Sequence, residues 1–332
     1  MIRAEEPPPS LARTRPPTRP PFRVGAVQHS WHPDPEEHEA ALAAGILMAA
    51  AEGAQLICLQ ELTLSPYFAV DPAGPGPDGA QPEDLPGGRT HAFAARMAAE
   101  TGAPIHASLY ERADADDGLG FNTAIVVSPQ GELLARTRKL HIPVTAGYRE
   151  DRYFRPGPGD GEAFPLVALG EARLGLPTCW DQWFPEVARA YSLEGADILV
   201  YPTAIGSEPD HPEFDTQPLW ERVIVGNGIA NGVFMVAVNR IGVEPPLTFY
   251  GSSFISDPYG RILTQAPRDE PAVLVADLDL NQRRDWLELF PFLATRRPDT
   301  YARLTKLIRT PRHTHFRGGK SIPWFLTPLC RA

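Results

Sequence analysis

From residue 23 onward, short apolar runs alternate with amphipathic stretches, and this alternation restricts the chain to an α/β architecture. RVGAVQH (23–29) reads as a strand, and EEHEAALAAGILMAAAEGA (36–54) carries Ala and Leu at helical spacing up to Gly53. QLICLQ (55–60) is a second strand with Glu61 at its C-terminal end. A helix over about 89–101 stops at Gly102, and PIHASLYE (104–111) follows as a strand. FNTAIVVS, the turn PQG and ELLARTRK form a hairpin whose second strand delivers Lys139. FPLVALG and EARLGLPT form another hairpin, after which Cys179 stands between a strand end and the helix 185–196. DILVYP (197–202) is a buried strand, 203–217 a polar loop, 218–232 a helix and VFMVAVNR (233–240) a strand, while FYGSSFIS and AVLVADLDL close the sheet. Hairpins mixed with crossover helices indicate a layered α/β sandwich rather than an all-parallel sheet. No internal repeat or break interrupts it, so one domain spans about 23–302.

Composition narrows the function. Of 332 residues, 43 % are hydrophobic and 22 % charged, which is a folded globular balance. Lys plus Arg minus Asp plus Glu is 31 − 41 = −10, and that charge repels phosphate backbones and anionic lipid surfaces. Neither nucleic acid nor membrane is expected as a partner. Residues 1–22 are Pro-rich and poor in apolar side chains, so they read as a disordered tail rather than a secretory signal, and a cytoplasmic location is expected. Residues 303–332 form a basic tail without Asp or Glu, read as covering an acidic neighbouring subunit. Cys58, Cys179 and Cys330 fit neither a disulfide framework nor a zinc site; Cys58 reads as core and Cys330 as an inert tail thiol. His313 and His315 lack a third ligand, His141 reads as structural, and no phosphate loop occurs, so neither metal nor cofactor is expected.

Ligands collect where loops diverge at one rim of an α/β sheet, and Glu61, Lys139 and Cys179 each end a strand. A carboxylate, an ammonium and a thiol brought together can attack a carbonyl-type carbon without a metal. The carboxylate takes the thiol proton, the thiolate attacks and the cation holds the oxyanion. A nearby Lys and the helix start after Cys179 are expected to raise its thiolate fraction.

The text around these residues resembles the nitrilase superfamily of carbon–nitrogen hydrolases. LQELTLSPYF (59–68), RTRKLHIP (136–143) and LPTCWDQWFPEVARAYSLEGADILVYPTAIGSEP (176–209) look like its Glu, Lys and Cys motifs, in the family order. The resemblance implies a four-layer αββα sandwich that assembles as dimers or larger homo-oligomers. It implies Glu61 as general base, Lys139 as oxyanion stabiliser and Cys179 as nucleophile. Glu150, in GYREDRYFRPG, matches a second family glutamate that orients the Lys and the departing ammonia, and the Trp180 N–H would be a second oxyanion donor.

CWDQWFPE followed by YPTAIGSEP is most similar to the N-carbamoylputrescine amidohydrolase branch, which implies a ureido substrate with a cationic far end. Glu208 and Asp210 are candidates to pair that cation, and Tyr67 and Trp183 are pocket walls or core. Departures from the branch, such as Val144 and Thr145 in place of two aspartates, leave other substrates open. N-carbamoyl-β-alanine, an ω-amide or an aliphatic amide is the neighbouring reading, favoured by an Arg placed for a carboxylate. A non-catalytic scaffold with the same fold is the alternative of another class.

Overall fold

The computed structural model describes residues 1–3, 6–74, 80–145, 147–159, 161 and 163–306. Two sheets build the first compact unit, Met1–Ala294. The first has seven strands in the spatial order Ile2–Arg3, Ala272–Leu278, Phe22–Gln28, Leu56–Cys58, Ile105–Glu111, Phe121–Val127 and Leu133–Arg138. The second has six, in the order Ile262–Gln265, Phe254–Ser256, Phe234–Val238, Ile198–Pro202, Ala172–Gly175 and Leu166–Leu169. Both are mixed, with parallel centres and antiparallel neighbours to them, and the edge strand Ile2–Arg3 of the first sheet adds a further parallel pair.

Side-chain alternation turns these sheets into layers. Along the first sheet Val24, Ala26, Leu56 and Cys58 point into a core shared with Leu174, Ile198, Val200 and Val236 of the second. The intervening Ile57, Leu59 and Ile105 pack on the helices Pro35–Ala51 and Arg89–Thr101 through Leu42, Ile46, Phe93 and Met97. Leu199, Tyr201 and Met235 meet Val187, Tyr191, Trp220 and Ile224 of the helices Pro185–Leu193 and Gln217–Asn231 on the outer face of the second sheet. The result is the expected αββα sandwich. Burying each such apolar side chain contributes about 1.5–3 kcal/mol, so the strands form a rigid base for the loops at their ends.

Local chemistry sets the helix limits. Asp34 caps Pro35–Ala51 by accepting from the Glu36 and Glu37 N–H groups, and Gly102 (φ 72°) ends Arg89–Thr101 in the left-handed conformation. The close seat of the first helix needs Gly25, where a Cβ would lie 2.8 Å from that of Ala49.

Two expectations are corrected, and one helix went unread. FYGSSFIS is not one strand: Gly251 (φ 49°) and Ser252 (φ 58°) break it, and Leu247–Tyr250 pairs instead with Ile241–Glu244 as a hairpin. A helix at Asn281–Leu289 was not legible, because six of its nine residues are polar or charged and only Asn281, Gln282 and Asp285 are buried. The described part of residues 1–22 is not a disordered tail. Ile2–Arg3 pairs with Leu274 and Val275, Ser10 and Arg13 bond Asp285, Arg13 also pairs Asp279, and Arg19 pairs Asp197 (2.6 Å). Proline loses little backbone freedom on ordering, and the arginines supply charge pairs that apolar content does not register. In the second unit a 3₁₀ turn covers Pro298–Arg303, and most of the basic tail, with Cys330, His313 and His315, lies outside the described residues.

His106, opposite Cys58 in the sheet register, is fully buried, and neither ring nitrogen has a hydrogen-bond partner among the described residues. Burial pushes its pKa down to about 3. The folded state therefore rejects a proton that the unfolded chain accepts below pH ~6.5, and stability falls as pH falls through that value. Denaturant titrations should show a loss of about 1 kcal/mol from this group between pH 6.5 and 5.5, absent in His106→Leu. Identical pH slopes for the two proteins would contradict it.

Candidate active site

Glu61 follows Leu56–Cys58 and Lys139 follows Leu133–Arg138. Ile105–Glu111 is parallel to the first of these strands, and two antiparallel steps bring the second into the same direction, so both residues leave the same rim. Cys179 follows Ala172–Gly175 of the facing sheet, and Glu150 opens a 3₁₀ turn, Glu150–Arg152, that folds over the rim.

These four residues come together below the surface. The Lys139 Nζ donates to Glu61 Oε1 (3.0 Å) and to both Glu150 oxygens (2.8 and 2.7 Å). Glu150 Oε1 also accepts from the Tyr67 hydroxyl (2.7 Å), and Glu61 Oε1 from Asn122 Nδ2 (2.7 Å). Glu61 Oε2 is buried and has no hydrogen-bond partner among the described residues. Cys179 is 6 % exposed and lies within electrostatic reach of Glu61, Lys139 and Glu150. Tyr67 thus holds Glu150 as well as filling a wall.

The charges do not balance, and that sets protonation. Two carboxylates face one ammonium. Burial alone would lower the Lys139 pKa, but Glu150 and Glu61 reverse this and hold it charged. Burial raises the Glu150 pKa; Lys139 opposes and Glu61 adds to that rise. Burial followed by the Glu61 charge also drives the Cys179 thiol upward, beyond what Lys139 recovers. Burial and the neighbouring carboxylates thus oppose the enriched thiolate that Lys139 and a helix start alone would favour. Attack must be coupled to proton removal.

The Cys179 backbone is left-handed (φ 38°), a strained state for a non-glycine residue, at the start of a 3₁₀ segment, Cys179–Trp183. Asp181, which sequence reasoning passed over, holds that turn. Its carboxylate accepts from the N–H groups of Thr178 (3.1 Å), Leu140 (3.3 Å) and His141 (3.0 Å), and pairs with His141 Nδ1 (2.7 Å). One buried side chain thereby fixes the turn carrying the nucleophile to the loop after Lys139. His141 stacks on Phe184 with centroids 3.6 Å apart, in keeping with its structural reading. Trp183 packs against the helix-side core of the second sheet.

The profile of the family described as carbon–nitrogen hydrolase matches residues 23–288. The chain belongs to that family. It is accordingly a hydrolase that acts on carbon–nitrogen bonds, within the nitrilase superfamily. An N-carbamoylputrescine amidase of Arabidopsis thaliana is 38 % identical to it over 84 % of this chain and 93 % of the relative. A citrullinase of Francisella tularensis is 35 % identical over 86 % of this chain and 98 % of its own. The crystal structure of a carbon–nitrogen hydrolase from Helicobacter pylori G27 superposes with a TM-score of 0.76 at 33 % identity, covering 86 % of this chain and 99 % of that one.

Besides Tyr67, two more buried tyrosines of this carbon–nitrogen hydrolase, Tyr148 and Tyr250, bear on the thiol. Burial raises both, and each lies within electrostatic reach of Cys179 and of Glu208. The Tyr148 hydroxyl accepts from the Gly206 N–H (3.3 Å), while the Tyr250 hydroxyl is buried beside Thr216. Glu208 is half-buried, which raises its pKa, and accepts from Thr216 (3.5 Å). Asp210 is exposed on the following turn, so the candidate pair reduces to Glu208. Asn122, Asp181, Tyr148 and Tyr250 had no local sequence signal, since each acts across a long chain separation.

Proposed function

We propose that the hydrolase cleaves the ureido C–N bond of an N-carbamoyl amine with a cationic far end, N-carbamoylputrescine or a close analogue, through a thioester on Cys179. As the sulfur attacks the ureido carbon, Glu61 Oε2, the carboxylate oxygen with no hydrogen-bond partner among the described residues, takes its proton. Lys139 and the Trp180 N–H stabilise the oxyanion, and Glu150 orients Lys139 and the departing ammonia. Glu61 passes that proton to the departing ammonia and, as a carboxylate again, activates water against the thioester; hydrolysis restores the Cys179 thiol and frees a carbamate, which loses CO2 to leave the amine.

The observation that carries the substrate reading is the excess of carboxylate around the thiol, with Glu208 within electrostatic reach of Tyr148 and Tyr250, the same two phenols that lie within reach of Cys179. Such a pocket favours a cation beyond the ureido group and repels a lone carboxylate. The relatives' names support a ureido group: N-carbamoylputrescine and citrulline share it and differ at the far end. A second reading, a far end bearing a carboxylate, has Arg268 in its favour, whose guanidinium carbon is 5.7 Å from the Tyr250 ring centre. Its two-pronged pair with Asp215 (2.8 Å each) neutralises it, which supports the cation. Leu193 and Leu219, 44 % and 43 % exposed on the outer helices, support the homo-oligomer as part of this proposal.

Ammonia release from ureido compounds with cationic, zwitterionic, anionic and neutral far ends tests it. The cationic compound should lead, and Glu208→Gln should raise its KM roughly tenfold with kcat nearly unchanged, the loss of one partly buried charge pair. Preference for the anionic compound would reject the reading.

A further inference from the structure

We infer that Arg240 and Glu244 form a buried clamp that positions Glu61 and Tyr67 for the reaction. Arg240 follows the central strand Phe234–Val238 of the second sheet and is fully buried. Its NH2 nitrogen donates to the carbonyls of Glu61 (2.7 Å), Leu62 (3.1 Å) and Ser65 (3.2 Å). Its NH1 nitrogen pairs with Glu244 Oε1 (2.7 Å), and Glu244 Oε2 accepts from the Tyr67 N–H (2.5 Å).

Two features give this arrangement a purpose beyond packing. Leu62, directly after Glu61, has φ 49°, so the turn that aims the Glu61 side chain is strained and needs outside restraint. Three carbonyls of that turn converge on one guanidinium nitrogen, and a buried cation facing carbonyl oxygens fixes them strongly. The contacts also close a circuit. Arg240 holds the Glu61 backbone, Glu244 holds the Tyr67 backbone, the Tyr67 hydroxyl holds Glu150, and Glu150 with Glu61 holds Lys139. Both ends of the clamp therefore act on groups around Lys139, and neither touches the sulfur.

Asn239, the preceding residue, does the same for the other wall. It accepts from the Ile205 N–H and donates to the Ile205 and Gly251 carbonyls. The end of one strand thus holds both the turn at Glu61–Ser65 and the segments at Ile205 and Gly251. Arg240 is a positioning residue, since it reaches Glu61 only through the main chain.

This inference rests on the reading of Glu61 as the base for Cys179, and its test has a readout that needs no substrate. Arg240→Met, Arg240→Lys and Glu244→Gln would be compared for kcat, KM and the rate and pH profile of Cys179 alkylation by iodoacetamide. Arg240→Met should lower kcat about 100-fold with KM within threefold and slow alkylation at neutral pH. Arg240→Lys, which keeps the charge but loses the fork, should recover part of the loss. Glu244→Gln should cost about tenfold in kcat. A folded Arg240→Met with kcat and alkylation within threefold of the parent overturns the clamp. Should that variant not fold, Glu244→Gln decides, and unchanged kcat and alkylation there overturn it equally. If the parent chain releases no ammonia from any ureido compound yet the alkylation differences persist, the substrate reading fails and the clamp stands.

Discussion

Cys179→Ala should abolish ammonia release, with a loss of roughly 10⁴-fold or more, while the melting temperature stays near that of the parent. The size follows from the role: no other described thiol is near the rim, since Cys58 lies in the core between the sheets, where burial raises its pKa. A site without its nucleophile retains only binding and oxyanion stabilisation. Folding should survive because the substitution leaves the bonds of Asp181 intact and removes a group that burial and Glu61 already penalise when charged. Turnover above about 1 % of the parent would mean that water attacks directly or another group supplies the nucleophile.

Lys139→Met should be costly in a second way. Its ammonium makes three bonds to Glu61 and Glu150 with no exposed surface on its side chain. Removing it leaves two buried carboxylates facing each other, and breaking a buried pair from one side costs about 3–5 kcal/mol. The loss depends on pH with a definite sign. Burial raises the Glu150 pKa and Lys139 opposes that rise, so without the lysine Glu150 takes up a proton more readily as pH falls and part of the stability returns. Chemical denaturation at pH 7.5 and 5.5 should show the gap to the parent narrowing at the lower pH, with kcat reduced about 1,000-fold or more at both. A gap that widens on acidification would show that the carboxylates are not the source of the penalty.

The layers were legible because each follows from a period. Val24 and Ala26 face one core and Val27 the other in a run whose alternation is plain in the sequence. Glu61, Lys139 and Cys179 were legible as strand-end residues within motifs, and Glu150 through its motif alone. What holds them was not. Arg240 reaches Glu61 across 179 residues of chain, and Asp181 reaches His141 across 40, and polar contacts of that separation leave no periodic trace. The thiol's setting was half read, because a lysine nearby was weighed without the two carboxylates that outnumber it. The N-terminal segment was misjudged because its binding to the body rests on arginines and a hydroxyl rather than on apolar area.

The most direct test of the account is stoichiometric alkylation with iodoacetamide, followed by peptide mapping and ammonia release on the same samples. The account predicts one rapidly modified residue, Cys179, whose labelling falls in step with residual activity, is blocked by substrate, and slows in Glu61→Gln. Full activity in protein whose Cys179 is alkylated, or inactivation that tracks Cys58 or Cys330 instead, would contradict it.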